Sequence, residues 1–297
     1  MPVLAGKEVG NTGLGLMRLT LPGANIPDEQ VFALLKAALN AGINCWNGAD
    51  FYGLPTNNSL HLLARYFTAY PEDAAKVVVC IKSGIVDMRT FTMDSSPESV
   101  RKFVANANNI LGGKKRIDIF GMGRVDQKVP LKDTLEALAQ LVSDGAIGGI
   151  QLSEVGPDTI RYAASITKID MVEAEVSLWA PEALSNGVAA ACYELDIPIP
   201  ENFSKNIDLV NELTKLAEVK KCTTAQLALS WVRLQSNKAG VPPLIPVFGA
   251  RTPERVVENT KDVDLTDHDF AEIEKILASF PVAGPRYPPE AMKLVQY

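Results

Sequence analysis

Tyr52 and Lys82 are the residues whose types and placement first suggest chemistry. Tyr52 lies in Asn47-Gly-Ala-Asp-Phe-Tyr-Gly53, directly after the apolar Ile43-Asn-Cys-Trp46, and Lys82 ends the run Val77-Val-Val-Cys-Ile-Lys82. A free phenol titrates near pH ~10 and is too weak an acid to work fast at neutrality. An ammonium beside it favours the phenolate, which makes the phenol a better proton donor to a carbonyl oxygen. Other roles are open to each residue. Tyr52 would serve equally as strand-end packing, and Lys82 as a lysine reaching solvent or as a Schiff-base amine. The proton-donor reading requires both strand ends to open on one mouth.

The surrounding elements meet that requirement. Short β-rich apolar runs alternate with helical patterns along the whole chain. Strands are expected at 13–17, 43–47, 77–82, 116–121, 147–152, 170–176, 197–199 and 243–249. Helices are expected at 28–41, 58–69, 97–111, 131–144, 156–166, 180–194, 204–220, 223–237, 253–260 and 267–278. Pro27-Asp28 and Gly42 are sensible start and stop signals for the first helix. Eight strands, each followed by helix, argue for a single α/β domain over 1–297: an (α/β)8 TIM barrel in preference to an open sheet. The strand C-termini of such a barrel converge where chemistry is done.

Composition narrows the classes. A 297-residue chain with 47% hydrophobic residues can bury a large core, and its net charge of −6 gives no global basic field for nucleic acid. The four cysteines, Cys45, Cys80, Cys192 and Cys222, are scattered without CxxC spacing and read as reduced thiols, with no metal site. The start of the chain carries no signal-like segment, and no apolar run reaches membrane length, so a cytoplasmic protein is expected.

Taken in order, Gly13-Leu-Gly-Leu-Met17, Asp50-Phe-Tyr-Gly53, Ile81-Lys-Ser-Gly84, Arg124-Val-Asp126, Leu152-Ser-Glu154 and Pro246-Val-Phe-Gly249 with Arg255-Val-Val-Glu-Asn259 make the chain resemble the aldo-keto reductases. Within them it looks most like the pyridoxal reductase branch from fungi. The resemblance covers nearly the whole chain. It implies a barrel that binds NADPH without a Rossmann domain and reduces an aldehyde or ketone. Gly13-Leu-Gly15 lacks the spacing of a dinucleotide loop, in keeping with that.

The resemblance also implies roles for individual residues. Tyr52 is the proton donor and Lys82 its cation. Asn47 stands where the family usually has an aspartate paired to that lysine, so Lys82 would meet a neutral acceptor. Gly123 stands where a histidine usually orients the carbonyl, and neither His61 nor His268 can replace it by motif position. Met17, Ser153, Glu154, Glu173 and Gly249 are implied cofactor contacts, with carboxylates at 154 and 173 where amides are common. Arg251, Arg255, Glu258 and Asn259 belong to the adenosine end, where guanidinium groups near a helix start suit a 2′-phosphate and favour NADPH over NADH.

One unit departs from the pattern. Ile197-Pro-Ile-Pro200 passes at once into Glu201-Asn-Phe-Ser-Lys-Asn206, whereas the resemblance implies roughly forty residues there that cover the cofactor pyrophosphate. Either a mouth loop has been left out where the residues were strung together, or the chain truly lacks it; the first is favoured because long mouth loops often order only with ligand. Three functions follow. The leading one is NADPH-dependent reduction of a small carbonyl such as pyridoxal. Its rivals are a low-turnover NADPH-binding module for redox sensing or assembly, and a Schiff-base aldolase on Lys82.

Overall fold

The computed structural model describes residues 2–178, 182–195, 199–201, 207–280 and 292–296. Eight parallel strands form the central sheet: β1 (Gly13–Gly15), β2 (Cys45–Ala49), β3 (Val78–Ser83), β4 (Ile119–Met122), β5 (Ile150–Ser153), β6 (Met171–Glu173), β7 (Ile199–Glu201) and β8 (Leu244–Gly249). The ladder runs β6-β5-β4-β3-β2-β1-β8-β7, in the order of a barrel. β6 and β7 approach one another, with no ladder between them among the described residues. The curled sheet carries the helices on its outside: α1 (Asp28–Asn40), α2 (Ser59–Ala69), α3 (Pro97–Leu111), α4 (Leu131–Ser143), α5 (Pro157–Ile166), α6 (Val188–Glu194), α7 (Ile207–Val219), α8 (Thr224–Gln235), α9 (Pro253–Thr260) and α10 (Asp267–Ser279). The fold is therefore the expected α/β TIM-barrel-like architecture.

Side-chain parity along the strands explains why they read as continuous apolar runs. Successive residues point to opposite faces. Trp46, Val79, Ile81, Phe120 and Val172 point outward into the main core under the helices. Cys45, Val78, Cys80, Ile119, Met171 and Ile245 point inward and fill the lower lumen with Leu4 and Val9. Those last two belong to the N-terminal segment, whose hairpin pairs Val3–Leu4 with Lys7–Glu8. Both faces of the sheet are thus buried, as parallel sheets require.

Most element positions match the sequence reading, and the departures have local causes. α3 starts on the Ser96 cap, whose hydroxyl accepts from Ser99 N, and stops on Gly112 at φ 58°. β2 begins two residues later than expected because Asn44 is spent as a hub: its side chain accepts from Gly10 N and donates to the carbonyls of Glu8 and Lys76. The expected helix 180–194 divides into a 3₁₀ turn, Glu182–Leu184, and α6, separated by Gly187 at φ 96°. Residues 180, 181, 197, 198 and 204–206, included in expected elements, lie outside the described residues, as do 202–206 of the Glu201–Asn206 segment.

Candidate active site

The loop after β2 is fixed by one asparagine. Asn58 Oδ1 caps α2 by accepting from Leu60 N and His61 N, while its Nδ2 donates to Asp50 O at 2.7 Å. Asp50 N donates to Lys82 O at 3.1 Å, so the loop is tied to β3 as well. Between these anchors the chain turns through Gly53 at φ 129°, where a Cβ would come within 2.4 Å of Asn57 O. Only glycine fits such a turn. Tyr52 is thereby held half-buried at the mouth, its ring edge to face with Phe51 at 5.0 Å.

Lys82, at the inward-facing end of β3, sits with its Nζ 5.4 Å from the Tyr52 ring centroid. Its strongest partner comes from across the lumen. Lys82 Nζ donates to Glu173 Oε1 in a short ion pair and to Asn47 Oδ1 at 3.3 Å, and Asn47 Nδ2 donates to Glu173 Oε2 at 2.8 Å. Asn47, Lys82 and Glu173 are 4%, 2% and 4% exposed, so the three groups form a closed and buried triangle. Burial disfavours the ammonium, but the Glu173 carboxylate, with a contribution from Tyr52, outweighs it and holds Lys82 protonated beyond its ordinary range. Asn47, expected as a neutral acceptor for Lys82, accepts from it and also donates to Glu173. Glu173, expected at the cofactor, instead has both carboxylate oxygens engaged by Asn47 and Lys82.

The neighbouring positions define the rest of the mouth. Burial pushes the Asp50 carboxyl up to about 6, against the opposing effect of the Ser83 hydroxyl that donates to it. At Gly123 a Cβ would meet the Phe51 ring at 3.1 Å, so the place of an imidazole is taken by a phenyl edge. Arg124 Nη1 donates to Gly123 O at 2.6 Å and to Ser153 Oγ at 3.4 Å. His61 accepts from Asn58 N through Nδ1 at the start of α2, and His268 is exposed at the start of α10, so both stand at helix starts. Ser153 ends β5, and Glu154 follows it, buried, at φ 56°, a left-handed conformation uncommon outside glycine. Glu154 O accepts from Gln296 N, which docks the C-terminal segment onto this loop.

On the other side of the mouth, β1, β8 and α8 enclose a cavity of about 370 Å³. Met17, Gly249 and Asn259 line it together with Gly15, Ala228 and Val247. Asn259 Oδ1 is buried and without a hydrogen-bond partner among the described residues. An unsatisfied buried acceptor is costly and marks a polar group at the cavity wall. At the adjacent rim Arg251 is exposed and donates to Ala24 O at 3.4 Å, while Arg255 is exposed and forked onto Glu258. The expected cofactor residues thus separate. Met17, Gly249 and Asn259 share the cavity, with Arg251, Arg255 and Glu258 on its outer rim, and Ser153, Glu154 and Glu173 belong to the β5–β6 side. This donor and acceptor set fits a dinucleotide.

The aldo/keto reductase family model matches residues 11–201 and 199–278, and the chain belongs to that family. It is an oxidoreductase of a family that characteristically uses NAD(P)H on small carbonyl compounds. The chain is 34% identical to the probable pyridoxal reductase 2 of Schizosaccharomyces pombe, with 97% of each chain covered. It is 31% identical to the putative pyridoxal reductase of Saccharomyces cerevisiae, covering 93% of this chain and 95% of that one. Among solved structures, a glycerol dehydrogenase from Gluconobacter oxydans shares the fold with a TM-score of 0.78 at 21% identity, 97% of each chain being covered. An aldo-keto reductase from Klebsiella pneumoniae, in complex with NADPH, follows at 0.75 and 18%, covering 94% and 93%. The two stretches matched by the family model meet at 199–201, and the alignment to the S. pombe relative runs over 328 residues against 297 in this chain. That relative therefore has residues without a counterpart here. Among the described residues, no helix is long and apolar enough to cross a membrane.

Proposed function

We propose that this oxidoreductase reduces a small aldehyde or ketone, pyridoxal being the favoured example, to its alcohol with NADPH. The carrying observation is a Lys82 ammonium, held charged by its buried partners, 5.4 Å from the ring of a tyrosine that opens on the mouth. Bound NADPH supplies the hydride. Tyr52 hydrogen-bonds the substrate carbonyl and gives its proton to the oxygen as charge develops there. Lys82 stabilises the phenolate that remains, so the proton is available near neutral pH. Phe51 packs against the tyrosine, limits its rotamers and supplies an apolar wall to the substrate. The cavity side, lined by Met17, Gly249 and Asn259, would hold the dinucleotide, with Arg251 and Arg255 set for a 2′-phosphate. Pyridoxal enters through the names of the two yeast relatives.

A firmly protonated lysine is a poor nucleophile, which argues against the Schiff-base reading, since that chemistry needs a depressed pKa. The low-turnover module keeps one observation in its favour: the phenyl edge at Gly123 leaves no imidazole to orient a carbonyl. NADPH oxidation with pyridoxal and aryl aldehydes separates the two. Tyr52→Phe should lower turnover by roughly 10²-fold or more with NADPH binding kept, and unchanged turnover would remove the donor assignment. The same reading takes residues 1–297 as one barrel domain with an apparent missing segment near 199–201. An intact mass near 32.1 kDa would support a real deletion; a mass several kilodaltons higher would mean that the segment exists in the protein.

A further inference from the structure

Lys82 meets its carboxylate from the opposite side of the lumen, 91 residues further along the chain. Resting on the carbonyl-reduction reading above, we propose that Glu173 is a positioning residue. It serves as the counter-ion that keeps Lys82 charged and aimed at Tyr52, with Asn47 as the amide that locks the pair. Three observations carry this. Both Glu173 oxygens are engaged, one by Lys82 and one by Asn47. All three side chains are buried, so water screens the ion pair little. Asn47 also does what a carboxylate at its position could not, because it accepts from Lys82 through Oδ1 while donating to Glu173 through Nδ2.

An aspartate at 47 would set two carboxylates at hydrogen-bonding distance, and one of them would have to bind a proton. Asparagine at 47 and glutamate at 173 are therefore matched: the negative charge of the site sits on β6 in place of β2. Of the other groups facing Lys82, Tyr52 adds a smaller contribution than Glu173, and one step deeper Cys45 and Cys80 are buried with Sγ atoms 3.9 Å apart. Burial and the neighbouring sulfur raise the Cys80 pKa, keeping it neutral.

The test compares Glu173→Gln, Asn47→Asp and the exchanged pair Asn47→Asp/Glu173→Gln in the full chain. Thermal melting of each variant establishes that it folds. The Lys82 ammonium is followed in ¹⁵N-lysine-labelled protein without cofactor, a readout independent of turnover. Wild type should keep Lys82 protonated through pH ~10.4, the ordinary lysine value. Glu173→Gln should titrate below it and bring the alkaline fall of kcat for pyridoxal to lower pH, with at least a tenfold loss at pH 8. The exchanged pair, which returns one carboxylate and one amide to the triangle, should recover most of both. Glu173→Gln with an unmoved Lys82 titration and kcat, but a raised NADPH dissociation constant, would overturn the proposal and return Glu173 to the cofactor. Failure of the exchanged pair to recover the titration would also overturn it. Loss of the reduction reading itself would show separately, as undiminished turnover in Tyr52→Phe.

Discussion

The two sides of the barrel mouth are built on opposite plans. On the β2–β3–β6 side, Asn47, Lys82 and Glu173 satisfy one another before any ligand arrives. On the β1–β8 side lies a cavity of about 370 Å³ lined by Met17, Gly249 and Asn259, and Arg251 and Arg255 are exposed. The first side spends its polar groups internally and is preorganised. The second leaves them available, so its interactions are completed by what binds. If the proposed roles are right, such a site orders its proton chemistry by folding and its dinucleotide by binding, which predicts separable effects of substitution on the two sides.

Lys82→Ala gives the largest expected effect. It strands Glu173 as a buried uncompensated charge, and loss of one partner of a buried pair costs about 3–5 kcal/mol. Urea denaturation should show that loss together with abolished turnover. Asn47→Leu should come next, at about 1–3 kcal/mol, since it removes a donor to Glu173 and an acceptor for Lys82. Across the mouth the order of effects should invert. Arg255→Ala releases Glu258 from an exposed pair, so denaturation should move by no more than ~0.5 kcal/mol. The same change should weaken NADPH by roughly tenfold with NADH little affected, since a charge-assisted contact is worth about 1.5–3 kcal/mol at most. Equal losses for both nucleotides in a fluorescence titration would remove the 2′-phosphate role.

The smallest effect is one of pH. Asp50 titrates in the folded chain at about 6, above its ordinary value, because burial penalises its charged form. The native state then binds that proton more tightly than the unfolded chain does. Its contribution is fully present below pH 4 and is lost as the pH rises through 6. Asp50→Asn should therefore stabilise the protein at pH 8, by about 1 kcal/mol once solvent screening is allowed for, and change little at pH 4. A melting difference of equal size at both pH values would show that the charge is not the cause.

The barrel was legible in the sequence because strand and helix periods alternate and the punctuation is local. Ser96 and Gly112 bound α3 from residues adjacent to it. Tyr52 and Lys82 were legible for the same reason, as strand-end residues on neighbouring strands. The role of Glu173 was not, because a contact across the lumen depends on which layer β3 and β6 share, and that is a property of the closed sheet. One signal did exist: Lys82 lacked an acid at 47, and Glu173 follows the inward Met171 by two residues, at the parity that faces the lumen. Phe51 was missed in its place beside Gly123 because a loop side chain's direction has no periodicity to reveal it.

Among the described residues β6 is an end strand of the ladder, its backbone paired to β5. Its last residue is the one that reaches across to β3 and β2. The Lys82–Glu173 ion pair then also ties the end of the described ladder to its middle. Amide protons of β6 should exchange faster than those of β3 and β4 once Glu173→Gln cuts that tie, in which case the bond proposed to tune a proton donor also holds the barrel wall together.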